Sequence, residues 1–562
     1  MKNKDSDNPL LVAVKACRKT FYYIFLYSLA TNLLMLALPI FSLQVLDRVI
    51  SSGSINTLIM LTILTGIFFI VFGILQVVRS VLLKKIADWL ERKLSPSIVK
   101  DTIVSSCTGT SHQGSQGLRD LGTVKAFLTG PGISAIFDLP WSVIYLIVIW
   151  AIHPVNGIIA LIGAVLLLIF AILNEFFTKD ALEKANSENI QNMKLIDIAS
   201  RNAEVIEAMG MTQQIIDNFK LNNNKVNAAQ SVAGSRGVII STTSKVFRMF
   251  LQIAILASGA YFALNNQMSI GGIIASSILM GRILAPFDAA IASWGSAINS
   301  RQSYNKLKDS LGNGVDRTES FPLDEPEGKL SAEGVLYIIP GQKKPILKNI
   351  NFVISPGEIV GIVGPSAAGK STLAKLIVGI WKPQNGAIRL DEADVYTWNR
   401  KQFGEFVGYL PQDVELFDGS IKYNIARMNA DHKPEDIINA GKLAGAHNMI
   451  LNFPDGYETD IGIYGSSLSA GQRQRIGLAR ALYGNPKLVI LDEPNANLDH
   501  EGENALQNTL QKLKELKVTT IAIVHRPALL AHVDKIMIIK DGTITAFDEK
   551  DKIIKSLIPK QR

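Results

Sequence analysis

Cysteine is almost absent: Cys17 and Cys107 are the only two in 562 residues, and neither a CxxC pair nor a metal-ligand spacing surrounds them. A disulfide framework and a cysteine-held zinc site are thereby excluded. Charge is also sparse, 19% of residues against 48% apolar, and it thins out where apolar residues are densest. Between 126 and 177 there is no Lys or Arg. Long apolar runs, in turn, stop after residue 300. A chain of this length exceeds what one core usually organises, and its contrasting halves read as a membrane domain followed by a water-facing one. The formal charge of +8 comes with no basic-aromatic nucleic-acid motif, and surplus Lys and Arg are usual in the cytoplasmic segments of membrane proteins. Nucleic acid is therefore not an expected partner, whereas a lipid bilayer is. The opening MKNKDSDNPLLVAVKACRKT lacks a small-residue cleavage site, so the first apolar run is expected to be retained as a helix. It also leaves little room for a folded domain ahead of that helix.

A helix crossing the hydrocarbon core needs about 20 apolar residues. Six stretches are expected to cross: 21–41, 58–78, 132–152, 155–177, 245–264 and 268–290. DRVISSGSIN, between the first two, has the length of an outer turn, and His153-Pro154 breaks the third from the fourth. Lys and Arg crowd 79–125 and 179–248 but dwindle to Arg48 in the opposite links, so the crowded segments and both termini are expected inside. Those segments have helix-forming composition and are too long for turns, so the spans should continue as helices into the cytoplasm. Asp138, beside Pro140 and Trp141, reads as the interfacial start of the third span. Arg282 and Asp288 of the sixth are candidates for the translocation path, because charges at membrane depth face a watery path or a partner helix. The alternative is a helix sitting low, with both charges at the inner surface.

LGNGVDRTESFPLDEPEGKL is rich in Gly, Pro and acids, as exposed connectors are. The expected organisation is an all-α membrane domain over 1–310, a linker over 311–328 and an α/β domain over 329–562. In the last, short β-branched runs (EIVGIVG, KLVILDE, TTIAIVH) alternate with helical stretches, the pattern of a largely parallel sheet. GPSAAGKS at 364–371 fits GxxxxGK[ST] directly after an apolar run, the strand-loop-helix setting of a phosphate loop. Gly364, Pro365, Ser366, Ala367, Ala368, Gly369, Lys370, Ser371 and Thr372 are thus the expected nucleotide-binding residues. Glycines let successive N–H groups converge on phosphate oxygens, Lys370 reaches the β and γ phosphates, and the Ser371 hydroxyl ligates Mg²⁺. The apolar run 488–491 ends in Asp492 and Glu493, at the sheet edge where ligands of open α/β domains sit. One carboxylate suits the metal's water shell and the other a nucleophilic water.

Five separated motifs make the chain resemble the ATP-binding cassette (ABC) proteins. LSAGQ (Leu468, Ser469, Ala470, Gly471, Gln472) looks like the cassette signature and is followed by RQRIGLARAL. Gln412 in YLPQD resembles the loop glutamine beside the γ phosphate and metal, Asn497-Leu498-Asp499 the segment joining two sites, and His525 the switch histidine. The resemblance implies head-to-tail cassettes in a homodimer, each ATP lying between one chain's phosphate loop and the other chain's signature. It also implies Glu493 as general base, with His525 and Gln412 as further catalytic residues and Ser371, Gln412 and Asp492 around Mg²⁺. One position departs from the family. An aromatic residue usually precedes the Pro-Gly after the first cassette strand and stacks on adenine; here Ile339 does so, with Tyr337 two residues back as the other candidate.

FDLPWSVIYLIVIWAIHP, RNAEVIEAMGM, LMGRILAPFDAAI and GYLPQDVELFDGSIKYNIAR resemble the exporters of type I protein secretion, in particular the alkaline-protease (PrtD-type) branch. That likeness implies a multi-pass protein of the bacterial inner membrane. It would use ATP to export an unfolded polypeptide with a C-terminal signal, alongside a membrane-fusion adaptor and an outer-membrane channel protein. A lipid or drug exporter of the same fold is the alternative, and a kinase or soluble cassette ATPase would need neither six spans nor, for a kinase, LSAGQ. Lys370→Ala is expected to weaken nucleotide binding or turnover severely; a fully active variant would contradict the phosphate-loop assignment.

Overall fold

The computed structural model describes residues 8–107, 116–312, 323–462, 465–524 and 526–557. The chain divides into two compact units near residue 314. Among the described residues of the first unit, six helical segments are long and apolar enough to cross a membrane: Arg18–Ser52, Ile55–Cys107, Pro131–Ile152, Pro154–Arg201, Thr212–Leu264 and Ile270–Ala292. Helices suit this solvent because each backbone N–H and C=O is bonded within the segment. The second, fourth and fifth run for 53, 48 and 53 residues. At 1.5 Å per residue they reach about 70–80 Å, more than twice the hydrocarbon thickness. Large apolar side chains such as Met60, Ile70, Phe176 and Ile253 stand on the outer surface, as a lipid-facing surface requires.

The first span is interrupted. Its helix Arg18–Leu34 stops at Met35 and resumes as Ala37–Gln44; Pro39 has no N–H for the Met35 carbonyl and its ring crowds that position. The outer link is also shorter than its sequence suggests. Helix continues through Val45–Val49 as a π-turn and on through Ile50–Ser52, leaving the reversal to Gly53 (φ +62°) and Ser54. The π-turn places Asp47 against the start of the sixth span, where Asp47 Oδ1 accepts from Gly271 N at 2.8 Å and Oδ2 from Ser269 Oγ at 2.5 Å. A Cβ on Gly271 would lie 2.7 Å from both carboxylate oxygens, so only glycine permits this cap.

The fourth and fifth spans share a long seam. Asn156, Ala160, Gly163, Leu167, Asn174, Thr178, Ala185 and Asn192 are buried on one and Val226, Ala233, Ser244, Leu251, Ile255 and Gly259 on the other. Steps of three, four, seven and eleven residues make these facing stripes, and small side chains let the helices approach closely. A Cβ at Gly163 would meet Leu251 at 2.7 Å and Met280 at 2.8 Å.

Two ion pairs join spans within the helix bundle. Arg79 of the second span, 4% exposed, meets Asp138 at 2.6 Å. Ser28 Oγ and Asn32 Nδ2 of the first span donate to the same carboxylate at 2.5 and 3.0 Å, and Tyr145 OH donates to Asn32 Oδ1 at 2.8 Å. Asp138, read from sequence as an interfacial start, is therefore a junction of three spans.

The second unit contains two sheets. Its strands are β1 (Leu330–Tyr337), β2 (Leu347–Ile354), β3 (Ile359–Val363), β4 (Asn385–Leu390), β5 (Ala393–Asp394), β6 (Val407–Leu410), β7 (Leu488–Asp492), β8 (Thr519–Ile523), β9 (Lys535–Lys540) and β10 (Thr543–Glu549). One sheet has the order β2-β1-β4-β5 and is antiparallel. The other has the order β10-β9-β3-β8-β7-β6, parallel except at β10. Strands β7 and β8 are buried at every residue, which is why neither alternates apolar with polar side chains; the Thr519 and Thr520 hydroxyls of β8 are bonded to the Gly328 and Val518 carbonyls. The parallel order aligns the C-terminal ends of β3, β7 and β8.

Arg79→Ala leaves the Asp138 carboxylate without its cation and is expected to destabilise the membrane unit by about 3 kcal/mol. Thermal unfolding of the purified protein measures this. Arg79→Ala combined with Asp138→Ala should cost less than the two single changes summed, and an unshifted melting temperature in Arg79→Ala would show that the pair contributes nothing.

Candidate nucleotide site

The site begins at the end of β3. Chain reversal over 364–369 uses backbone that few side chains tolerate: Ala367 has φ +63° and Gly369 φ +101°. A Cβ at Gly364 would lie 2.1 Å from the Ile539 carbonyl oxygen, and one at Gly369 2.7 Å from Leu347 Cδ2. Gly364 is thus required by close packing, and Gly369 by close packing as well as by φ. Pro365, Ser366 and Ala367 are exposed on the loop, while Ala368 is buried beneath it. The helix Lys370–Ile377 follows with Gly369 at its N-cap, and its unbonded N–H groups and positive dipole end form an anion-binding terminus. Thr372 is half-buried in its first turn.

Lys370 folds back across the loop and donates to the carbonyls of Gly364 at 2.8 Å and Pro365 at 2.9 Å. Burial pushes its ammonium pKa down, against the raising effect of Glu493 and Asp492. Ser371 Oγ donates to Asp492 Oδ1 at 3.1 Å, which joins the helix after β3 to the end of β7. Asp492 is 1% exposed. Burial pushes its carboxyl pKa up and Glu493 adds to that, while the Ser371 hydrogen bond and the charges of Lys375 and Lys370 act in the opposite sense. Glu493 follows in the left-handed region at φ +51°, its N–H tied to the Ile523 carbonyl of β8. Gln412 Nε2 donates to Glu493 Oε2 at 3.1 Å. Lys370, Ser371, Gln412, Asp492 and Glu493 thus converge at one sheet edge from three separate segments. His525 lies outside the described residues.

The signature residues close on themselves. Ser469 caps the helix Ala470–Leu482, its Oγ accepting from Gln472 N at 3.2 Å while Gln472 Oε1 accepts from Ser469 N at 2.8 Å. Leu468 is buried, whereas Ser469 and Ala470 are exposed at the helix start. A Cβ on Gly471 would approach the Asn497 carbonyl oxygen to 2.9 Å, so the exposed Asn497 segment runs against this terminus. Asp499 caps the helix His500–Glu515 and accepts from Gly502 N at 2.8 Å.

Two residues that the sequence reading passed over hold these parts together. Arg475, within the signature helix, pairs with Asp499 at 2.9 Å and Glu501 at 3.2 Å. Gln474 donates to the Pro494 carbonyl at 3.2 Å. A signal was present: Arg475 shares the stripe of Leu478, Ala479 and Leu482, all buried, and a cation on an apolar stripe needs an acidic partner. Sequence could not identify the acid.

Tyr337 is corrected as an adenine contact. It is 4% exposed and its ring lies parallel to Trp381, 5.1 Å centroid to centroid at 6°, because its alternating position on β1 points into the core. Ile339 is half-buried beyond the strand end. In the membrane unit, Arg248 of the fifth span pairs with Asp288 at 2.6 Å, so Asp288 faces a partner helix; Arg282 is half-buried on the same span.

A six-helix membrane unit and a phosphate-loop cassette in one polypeptide define a half-transporter of the ABC class. The ABC transporter transmembrane region matches residues 21–287 and the ABC transporter family residues 347–496. The chain belongs to the ATP-binding cassette transporters and, within them, to the ATP-binding proteins of type I secretion systems. It is 38% identical to the type I secretion system ATP-binding protein PrsD of Rhizobium meliloti (strain 1021), over 98% of this chain and 95% of that protein. It is 29% identical to the leukotoxin export ATP-binding protein LtxB of Aggregatibacter actinomycetemcomitans, over 97% of this chain and 77% of that one. Its fold is shared with a bacterial Atm1-family ABC exporter solved with ATP bound, at TM-score 0.84 and 18% identity over 96% of each chain. It is a multi-pass membrane protein whose cassette binds nucleotide and couples ATP hydrolysis to transport.

Arg475→Met removes the cation that holds Asp499 and Glu501. Turnover is expected to fall about tenfold with nucleotide affinity little changed, because binding and hydrolysis draw on different segments. Steady-state ATPase kinetics decide this; an affinity loss equal to the rate loss would mean that Arg475 supports the whole cassette instead.

Proposed function

We propose that two copies of this chain form the membrane ATPase of a type I secretion system in the bacterial inner membrane. The cargo is an unfolded polypeptide with a C-terminal signal, passed on to a membrane-fusion adaptor and an outer-membrane channel protein. Both termini and the cassette lie on the cytoplasmic side, where ATP is found, with the membrane domain over 1–310, the linker over 311–328 and the cassette over 329–562. The observation that carries this reading is likeness to PrsD across 98% of the chain. A match confined to the cassette would leave cargo open, since one fold serves many cargoes. The full-length relatives compared carry secretion and leukotoxin-export names, which does not favour a lipid or drug exporter.

In this reading the loop from Gly364 to Gly369 and the N-terminus of the helix Lys370–Ile377 hold the phosphates. Lys370 exchanges its two carbonyl partners for β and γ oxygens, a short move for a flexible side chain with three donors. Ser371, Gln412 and Asp492 form an oxygen-only donor set, which fits Mg²⁺. When bound, that ion neutralises charge on the phosphate oxygens. Glu493 is the general base for water, aimed by Gln412 and by its backbone bond to β8. His525 stabilises charge on the transferring group. The second copy brings Ser469 and Gly471, at a helix N-terminus shaped by Leu468, Ala470 and Gln472, to the γ phosphate. Asn497 and Asp499 connect the two sites, and Arg282 and Asp288 border the translocation path.

Glu493→Gln is expected to retain ATP binding and lose about a hundredfold or more in hydrolysis, since it removes the base and leaves the phosphate cradle; near-normal turnover would remove Glu493 from the role. ATPase activity of the purified protein should respond to peptides from the C-termini of secreted proteins and not to a lipid or drug panel. A response to lipids or drugs alone would overturn the cargo assignment and leave the ATPase standing.

A further inference from the structure

We propose that the N-terminal end of the first span and the adjoining end of the second form a binding surface for anionic phospholipid. Lys15, Arg18 and Lys19 of the first and Lys84 and Lys85 of the second grip headgroup phosphates of the bilayer leaflet nearest the N-terminus. The inference goes beyond the export reading and does not depend on the cargo.

The surface on the first span follows from helix geometry. The helices Pro9–Ala16 and Arg18–Leu34 are joined through Cys17 alone, which keeps a helical backbone at φ −75° and ψ −10°. Its N–H donates to the Ala13 carbonyl and its own carbonyl accepts from Phe21 N, so positions on either side of it share one helical face. Leu10, Ala13, Cys17 and Ile24 are buried in one cluster with Leu83, Ile86, Leu90 and Leu94 of the second span. The stripe Lys15, Arg18, Lys19, Tyr22, Tyr23 and Leu26, at steps of three and one, is exposed at every position. Along it the side chains change from cation to aromatic to aliphatic, the order met on passing from headgroups into hydrocarbon. Arg18 and Lys19 precede Tyr22 and Tyr23 by four residues, about 6 Å of rise, which matches the depth of one headgroup layer.

The second span presents the same order in reverse. Ile70, Ile74, Val77 and Val81 are exposed, and Lys84 and Lys85 follow one turn beyond Val81. Neither stretch carries a counter-charge, since 8–46 and 55–87 contain no Asp or Glu. The first acids beyond, Asp88 and Glu91, are taken by Lys125 at 2.8 and 2.6 Å. Among the described residues none of the five cations is in an ion pair, whereas Arg79 and Arg248 of the same unit each hold a carboxylate. Cations in this position, one turn from a lipid-facing apolar surface, fit an anion that is itself anchored in hydrocarbon. A soluble acidic partner would have to displace headgroups to reach the turn that carries Tyr22 and Tyr23. The planar fork of Arg18 suits two oxygens of one phosphate, and the lysines act as point charges beside it.

The test titrates the detergent-purified full-length protein with phosphatidylglycerol or phosphatidylcholine and counts bound lipid by native mass spectrometry. Each cation near an anionic headgroup is worth roughly fivefold in affinity, so phosphatidylglycerol is expected to bind about thirtyfold more tightly, a preference that shrinks as salt rises from about 50 to about 500 mM. Lys15→Gln, Arg18→Gln and Lys19→Gln combined should reduce it to about threefold. Lys15→Arg with Lys19→Arg, which keeps the charge, should preserve it, as should Lys220→Gln with Lys225→Gln on the fifth-span helix. Equal affinity for the two lipids in the wild type, or a preference that survives the triple change, would overturn the inference. Displacement of phosphatidylglycerol by inorganic phosphate at constant ionic strength would also overturn it, by showing a site for the free ion.

Discussion

Asp492 is 1% exposed, and an ionised carboxylate at such depth persists only with partners. Its position at the end of β7 makes it the point on which the cassette is organised. Ser371 reaches it from the helix after β3, and the charges of Lys370 and Lys375 act on it from the same helix. Those contacts require β3, β8 and β7 to lie side by side and to end together, which the parallel register of the sheet provides. Glu493 is turned outward immediately beyond, its N–H held by β8 and its carboxylate by Gln412. The phosphate loop, the acidic pair and the loop glutamine are therefore parts of one packed edge, and displacing any one strand would disperse all three.

The membrane unit meets the same constraint in a different solvent. Lipid supplies no hydrogen bonds, so a charged side chain at membrane depth is costly unless it meets a partner, and three acidic residues here meet theirs on another helix. Arg79 finds Asp138, Arg248 finds Asp288, and Asp47 finds the start of the sixth span. Each contact joins different spans and fixes their rotation, since a helix turned by one residue would carry its charge into hydrocarbon. The seam between the fourth and fifth spans depends instead on small residues, where Gly163 accommodates Leu251 and Met280. Polar pairs thus set which faces meet, and small residues set how closely.

Much of this was readable in advance. Six apolar stretches, a phosphate loop after a strand and a signature helix define the fold class, because each is a contiguous pattern whose physics is local. Lys370, Ser371, Asp492, Glu493 and Gln412 were legible as candidates from their motifs, and the folded chain brings them to one sheet edge. Arg475 was passed over because a buried arginine is uninformative until its acid is known. Tyr337 was read as an adenine candidate because strand alternation shows that two residues share a face without showing what covers that face; Trp381 covers it. The outer link has the length of a turn, yet its first part continues as helix to bring Asp47 to Gly271.

The sequence by itself determined the architecture: where helices run long enough to cross a membrane, where the second domain begins to alternate, and where the chain curls to receive phosphate. These follow from periodicity and from residues adjacent in the chain. Only the tertiary structure decided which charges meet. Arg79 and Asp138 are 59 residues apart and Asp47 and Gly271 are 224 apart. Such pairings depend on how the helices rotate against one another, a long-range outcome of packing that no local pattern encodes.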